Sequence, residues 1–434
     1  MAQREAIHVG LLGVGTVGGG VARILAEKRD VYARHLGCPL VLKSALVRDL
    51  SKERPGVPPA DLERLTTDPA EVLEDPEVDI VVDVWVGEEP AVDYSRRALA
   101  AGKYVVSANK EVMAKHGAEL LALAHAHGVD ILYEASVGGG IPIIAPLKRD
   151  LLANRVLSLA AIINGTTNYI LTAMSREGAD FAEALAAAQR LGYAEANPAN
   201  DVEGEDARFK LAILASLAFR AQVKPADIYR EGITRLSARD FRYARELGYA
   251  IKLLALARAT DDGIQARVHP ALVPLEESLA KVDGVLNAVQ VEADLAGRVL
   301  FQGRGAGSLP TTSAVIADVL DAAQSIIGGR RDLPPPDEAP TRIIPMDDLE
   351  TRYYLRLTVA DRPGVLAQIA RVLGEAAISI SSVIQKEADE SAQTAELVIM
   401  THLAREAAMQ RAIAELRQLQ AVQDVGNFIR VEHL

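Results

Sequence analysis

Through the first third of the chain, short apolar runs alternate with stretches whose apolar positions recur at helical spacing. Residues 7–12, 40–47, 78–85, 103–107 and 129–133 read as strands, and 17–28 and 114–127 read as helices. Near-continuous apolar strands separated by helices predict a parallel sheet covered on both faces. From about Asn154 the texture changes to an apolar strand at 157–163, helices at 181–191 and 206–219, and β-like stretches near 285–291 and 299–301, which predict a mixed α+β domain. A helix over 312–327 ends at Gly328-Gly329, where glycine can take a left-handed cap. The following RRDLPPPDEAP is too rich in proline and charge to be an element and reads as a linker. Beyond it, strands at 353–359, 379–385, 395–401 and 428–431, with helices at 364–373 and 405–419, follow the order βαββαβ of a ferredoxin-like module.

Composition narrows the class of partner. The 434 residues, 49% hydrophobic and 24% charged, can bury the cores of two or three domains. A net charge of −12 argues against a sequence-independent grip on nucleic acid or anionic lipid, so small-molecule partners are expected. No apolar stretch approaches the roughly 20 residues that span a bilayer, and the opening MAQREAIHVG lacks the order of a secretory signal. With Cys38 the single cysteine, the expected compartment is a reducing cytoplasm, with Cys38 a small buried hydrophobe.

Candidate chemistry begins at Gly13-Val14-Gly15-Thr16-Val17-Gly18, which follows the first strand and opens the first helix. Glycines there permit a tight turn and close approach of backbone to a pyrophosphate, whose charge the helix N-terminus favours, so a dinucleotide-binding Rossmann domain is expected. At the end of the second strand stands Arg48-Asp49-Leu50-Ser51-Lys52, where an acidic residue favours NAD and a basic one the 2′-phosphate of NADP. Arg48, directly after the strand, tilts the expectation to NADP. Farther on, Asp206 and Lys210 lie one helical turn apart, Asp206 near a helix start, with Glu195 and Asp201 in the Gly/Pro/Asn-rich loop leading in. Carboxylates can hold an ammonium group and a neighbouring lysine can handle a proton, although a surface i,i+4 pair would look the same.

The run from Ala188 to Lys210 resembles the signature of the homoserine dehydrogenase family. The resemblance extends to Ser107-Ala108-Asn109-Lys110, Glu134-Ala135-Ser136-Val137-Gly138-Gly139-Gly140-Ile141-Pro142, Asn164-Gly165-Thr166-Thr167-Asn168-Tyr169 and Gly303-Arg304-Gly305-Ala306-Gly307, covering essentially residues 5–328. It implies reversible, NAD(P)H-dependent reduction of L-aspartate 4-semialdehyde to L-homoserine, in a homodimer or homotetramer. Carried over by position, Lys210 would be the proton donor and acceptor at the substrate oxygen and Lys110 a second essential lysine. Glu195 and Asp206 would bind the substrate, supported by Asp201 and Gly192. Gly192, Gly305 and Gly307 would line the cofactor beside residues 13–18, Arg48 and Lys110. A monovalent cation, sodium or potassium, would sit on backbone carbonyls of Glu134, Val137, Gly139 and Ile141, oxygen ligands that suit a hard cation. One stretch departs from the pattern: Asp83-Val84-Trp85-Val86-Gly87-Glu88-Glu89-Pro90 stands where the family usually shows a glutamate and a double glycine.

In the C-terminal module, residues 357–367 and 379–385 resemble the first turn and second strand of an ACT domain. That implies an amino-acid site at Asp361, Gly364, Val365 and Leu366, with threonine feedback as the regulatory expectation and assembly of the oligomer as the alternative. The expected fold class is therefore α/β in three parts. Residues 1–150 form the Rossmann domain, completed by a helix over 311–328; 151–310 bind substrate and dimerise; 329–350 link; and 351–434 form the ACT module. No kinase-like segment precedes the nucleotide domain, so a monofunctional enzyme is expected. The rivals are a dehydrogenase of another amino-aldehyde and a catalytically inactive amino-acid sensor; the run Glu195, Asp201, Asp206, Lys210 speaks against the first, and the presence of both lysines against the second.

Overall fold

The computed structural model describes residues 5–329, 341–389 and 392–434. The stretch 330–340 expected as a linker lies outside the described residues. The chain divides into two compact units, one of residues 1–156, 209–225 and 292–341, the other of 157–208, 226–291 and 342–434.

In the first unit six strands, β1 (Ile7–Leu12), β2 (Leu40–Leu46), β3 (Leu65–Thr66), β4 (Ile80–Asp83), β5 (Tyr104–Ser107) and β6 (Ile131–Leu132), form a sheet in the order β3-β2-β1-β4-β5-β6. Every pairing in it is parallel, from Ile7↔Leu40 through Val9↔Ile80 to Val105↔Ile131. Strands buried on both faces, such as β4, need helices above and below, and the chain supplies them between strands. The helix Ser308–Gly328 returns from far along the sequence, and its Val315 and Val319 join Val9, Leu11, Val21 and Leu25 in one core. Each such fully buried Val or Leu contributes roughly 1.5–3 kcal/mol. Gly20 lets the helices Thr16–Glu27 and Ser308–Gly328 touch, since a Cβ there would lie 2.4 Å from Thr312 Oγ1. In this strand order the chain reverses direction at β1, and the crevice outside the carboxyl ends of the strands is where such sheets bind ligands.

The second unit is built on β7 (Val156–Ile162), β8 (Tyr229–Arg230), β9 (Tyr249–Thr260), β10 (Gly263–Pro274) and β11 (Leu286–Ala293). After β12 (Gly297–Arg304), which belongs to the first unit, come β13 (Glu350–Ala360), β14 (Ile380–Asp389), β15 (Thr394–Thr401), β16 (Ala404–Arg405) and β17 (Val422–Val431). The second unit's strands run β11-β7-β9-β10-β17-β13-β15-β14, with β8 beside β10 and β16 beside β13. The antiparallel hairpin β9–β10 pairs from Thr260↔Gly263 to Tyr249↔Pro274. Strands β13 to β17, with helices Val365–Glu375 and Glu406–Leu416, make the βαββαβ module, with its own core around Leu355, Ile369, Ile399 and Ile413.

This module is not set apart. Its last strand lies parallel to β10 through Ala271↔Arg430 and Leu272↔Val431, so the sheet continues from one part into the other. Buried ion pairs line the junction. Arg356 Nε donates to Asp240 Oδ1 at 2.7 Å, Arg430 to Glu406 and to Glu231 Oε2 (2.8 Å), and Arg267 to both oxygens of Glu432 (2.8 and 3.0 Å). Asp240 and Arg430 are completely buried, so each charge depends on its partner to offset desolvation.

Candidate active site

The glycine turn of the first unit has the geometry that its sequence requires. Gly13 takes φ 95°, and a Cβ on Gly18 would fall 2.0 Å from Gly13 O, so only glycine closes the turn. Thr16 and Val17 begin the helix Thr16–Glu27, whose cap residue, Gly15, would have nothing within 4 Å of an added Cβ. Open space outside a helix N-terminus is where an anion is favoured. Directly after β2, the exposed Arg48 places its guanidinium 4.8 Å from the centre of the Trp85 ring. Asp49 turns into its own loop: Oδ1 accepts from Ser51 Oγ (2.6 Å) and Ser51 N (2.8 Å), which holds the carboxyl below its ordinary range.

The loop after β4 is fixed from two sides. Asp83 is fully buried, and burial pushes its carboxyl up to about 7, although it accepts from Trp85 N (3.0 Å) and Ser107 Oγ (3.3 Å). Asn109 donates its amide to Trp85 O (3.2 Å) and Gly87 O (2.7 Å), while its Oδ1 accepts from Val112 N (3.1 Å) and caps the next helix. Lys110 is thereby placed as the first residue of the helix Lys110–His127, half-buried. Glu88 bridges Lys115 Nζ (2.6 Å) and His116 Nε2 (2.7 Å) of that helix.

Glu134 anchors the turn that follows β6. Its carboxylate accepts three backbone N–H groups, of Ile143 (2.6 Å), Ala145 (2.7 Å) and Ile144 (2.8 Å), and its own N–H donates to Asp318 Oδ2 at 2.8 Å. Burial holds the Asp318 carboxyl well above its ordinary range. Gly139 (φ 53°) passes against Gly305, whose carbonyl oxygen would lie 2.6 Å from a Cβ added there, and Gly140 N donates to Arg304 O at 3.0 Å. Gly307 follows as the cap of the helix Ser308–Gly328. The side chain of Glu134 is thus spent on backbone N–H groups, so ligand atoms at this turn would be backbone carbonyl oxygens rather than this carboxylate. A donor set of carbonyl oxygens fits a hard monovalent cation.

In the second unit one amide gathers the acidic residues. Asn164 donates to Asp201 Oδ1 at 2.7 Å and to Asp206 Oδ2 at 2.9 Å, while its Oδ1 accepts from Thr167 N (2.9 Å) and caps the helix Gly165–Glu177. Asp206 is only 3% exposed and lies in the first turn of the helix Glu205–Phe219, which carries Lys210 one turn farther on. The loop around Gly192 (φ 75°) is tied back by Thr166 Oγ1 to Tyr193 O at 2.6 Å, and the rings of Tyr169 and Tyr193 meet at 5.1 Å. Glu195 is exposed, and its carbonyl accepts from Gln189 Nε2 (3.1 Å); the structure does not draw it into the Asn164 cluster. In the module, Asp361, Gly364 and Leu366 are exposed on the first turn, Val365 is buried, and Gly364 (φ 88°) caps the helix Val365–Glu375.

Sequence reasoning gave no roles to Asn164, Asn109, Asp83 or Asp318. Asn-Gly-Thr-Thr and Ser-Ala-Asn-Lys each carry a capping signal, an Asn followed three residues later by a helical N–H, and that signal marks both asparagines.

A doubly wound parallel sheet with this glycine turn, and a lysine opening the helix after β5, defines an oxidoreductase that uses a nicotinamide dinucleotide. Family models agree: homoserine dehydrogenase, NAD binding domain, matches residues 13–134, homoserine dehydrogenase matches 142–320, and ACT domain matches 353–421. The homoserine dehydrogenase of Mycobacterium bovis is 46% identical over 434 residues, 98% of each chain. A crystal structure of a homoserine dehydrogenase from Thiobacillus denitrificans superposes with a TM-score of 0.92 at 45% identity, covering 98% of both chains. A hyperthermophilic archaeal homoserine dehydrogenase in complex with NADPH has a TM-score of 0.62 at 28% identity, covering 73% of this chain and 97% of its own. The chain belongs to the homoserine dehydrogenase family, as an NAD(P)-dependent oxidoreductase acting on a CH–OH group, with an ACT domain at its C-terminal end.

Proposed function

We propose that the protein reduces L-aspartate 4-semialdehyde to L-homoserine, reversibly, with NADPH preferred over NADH. The observation that carries this reading is the Asn164 cluster: one amide holds Asp201 and Asp206 at the head of the helix that presents Lys210. Asp206 and Glu195 bind the polar ends of the substrate, and Asp201 steadies Asp206 through Asn164. When bound, NADPH supplies a hydride to the aldehyde carbon. Lys210 gives its proton to the carbonyl oxygen as negative charge develops there, and takes it back in the oxidative direction. Lys110 is the second essential lysine, its place set by Asn109. Gly305 and Gly307 line the cofactor together with the turn Gly13–Gly18.

The same reading places a sodium or potassium ion on the carbonyls of Glu134, Val137, Gly139 and Ile141, as a structural support. L-Threonine is the ligand of the module, at the exposed turn from Asp361 to Leu366, and lowers turnover by favouring one conformational state. The working form is a homodimer or homotetramer in the cytoplasm. No helix among the described residues is long and apolar enough to cross a membrane. The test is product identification: L-homoserine, detected by mass, forms from L-aspartate 4-semialdehyde with the wild-type protein and not with Lys210→Ala. Appearance of a different alcohol from a different aldehyde in preference would replace the substrate assignment.

A further inference from the structure

Trp85, the chain's one tryptophan, has no part in the reaction described above. β2 and β4 are the two neighbours of β1, so the loops that leave them flank the glycine turn at the end of β1. Arg48 comes from the first of these loops and Trp85 from the second, and they meet with the guanidinium 4.8 Å from the ring centre. The indole lies beside the turn itself: a Cβ on Gly13 would be 3.6 Å from Trp85 Cε3. Trp85 is firmly seated: its backbone N–H donates to Asp83 Oδ1 (3.0 Å), its backbone carbonyl accepts from Asn109 Nδ2 (3.2 Å), and Tyr94 packs edge-on at 6.0 Å. The indole Nε1 is buried and finds no acceptor among the described residues, so no hydrogen bond accounts for an indole at this place. The contact with Arg48 does. Asp49, the carboxylate best placed to read ribose hydroxyls, is occupied with Ser51.

We propose that Trp85 is a specificity-determining residue for the dinucleotide: its ring holds the Arg48 guanidinium beside the glycine turn and so selects adenosine that carries a 2′-phosphate. A guanidinium stacked on an aromatic face keeps its donors in its own plane, where they can grip a phosphate bidentately, and less ordering remains to be done on binding. This rests on the reading that NADPH is the preferred cofactor.

Two measurements test it. In steady-state kinetics Trp85→Leu lowers the ratio of kcat/KM for NADPH to that for NADH about 2–5-fold, the magnitude of an exposed cation–π contact, and does so through the KM for NADPH. Trp85→Phe, which keeps an aromatic face, restores most of the ratio. An unchanged ratio, or proportional loss with both cofactors, would overturn the proposal, the second outcome marking the ring as purely structural. Because Trp85 is the sole source of indole emission, 2′,5′-ADP is expected to change wild-type fluorescence at concentrations where 5′-AMP does not. Equal responses to the two nucleotides would also overturn it. Should the wild type favour NADH, the cofactor reading fails by itself, and the nucleotide titration still decides whether Trp85 and Arg48 recognise the 2′-phosphate.

Discussion

Asn164 donates one amide hydrogen to Asp206 at 2.9 Å, and with the other reaches Asp201 at 2.7 Å. Removing that amide leaves Asp206, which is 3% exposed, without a donor it is built around. Asn164→Ala is therefore expected to lower kcat/KM for the aldehyde on the order of a hundredfold, a loss of about 3 kcal/mol of transition-state stabilisation. Cofactor affinity, followed by NADPH fluorescence, should change little. Unaltered kinetics with the aldehyde would mean that the cluster only supports the fold.

Lys210→Ala removes the group assigned to proton transfer. Turnover should fall by roughly 10²–10⁴-fold, the usual range for a general acid–base residue, with NADPH binding nearly intact. Loss of cofactor binding with single-turnover chemistry preserved would contradict the role.

Much of this was legible in the sequence, and the exceptions have physical causes. The strands and helices of the first unit announced themselves because each strand is a near-continuous apolar run, and Gly13–Gly18 marked the start of the stretch that the NAD binding domain model matches. The hairpin β9–β10 did not, although each of its strands spans 12 residues. Its burial follows no alternation, since Lys252, Arg267 and His269 are buried inside it, and a proline, Pro270, stands within it. Such residues read as surface until the partners that neutralise them are known, and Glu432 of β17's end and Asp283 are distant in sequence. The proline-rich stretch suggested a linker before the module, and the register of β10 with β17 is a long-range pairing that no local pattern encodes. Asn164 was visible as part of a motif, but its grip on two carboxylates was not.

Those buried charges make the C-terminal module part of the fold it joins. Arg356→Leu leaves Asp240 completely buried without its guanidinium, and is expected to cost about 3–5 kcal/mol, read from urea unfolding of the whole chain. A midpoint close to that of the wild type would show the pair to be dispensable.

The two units should respond to pH in opposite senses. Asp83 has its folded carboxyl raised to about 7, from an ordinary 3.8. The folded form therefore holds a proton that the unfolded chain has lost, and this group's contribution falls as pH rises from about 4 to about 7. Asp83→Asn should flatten that slope in a thermal melt of the first unit's transition. In the second unit Glu432 is driven down to about 2 despite its burial, chiefly by Arg267, and burial also lowers the His269 imidazole below its ordinary value. Both groups give stability that is present at neutral pH. The His269 share is lost as pH falls below about 6.5, and the Glu432 share between about 4.5 and 2. Glu432→Gln should remove the lower part of that acid loss; a variant with the wild-type acid profile would contradict it.

The most direct test is the initial rate of NADPH and of NADH oxidation with L-aspartate 4-semialdehyde, each with and without millimolar L-threonine. The expected result is aldehyde-dependent oxidation, faster with NADPH and slowed by threonine. Turnover indifferent to threonine would remove the regulatory assignment and leave the enzyme; no oxidation of either cofactor would contradict the catalytic account itself.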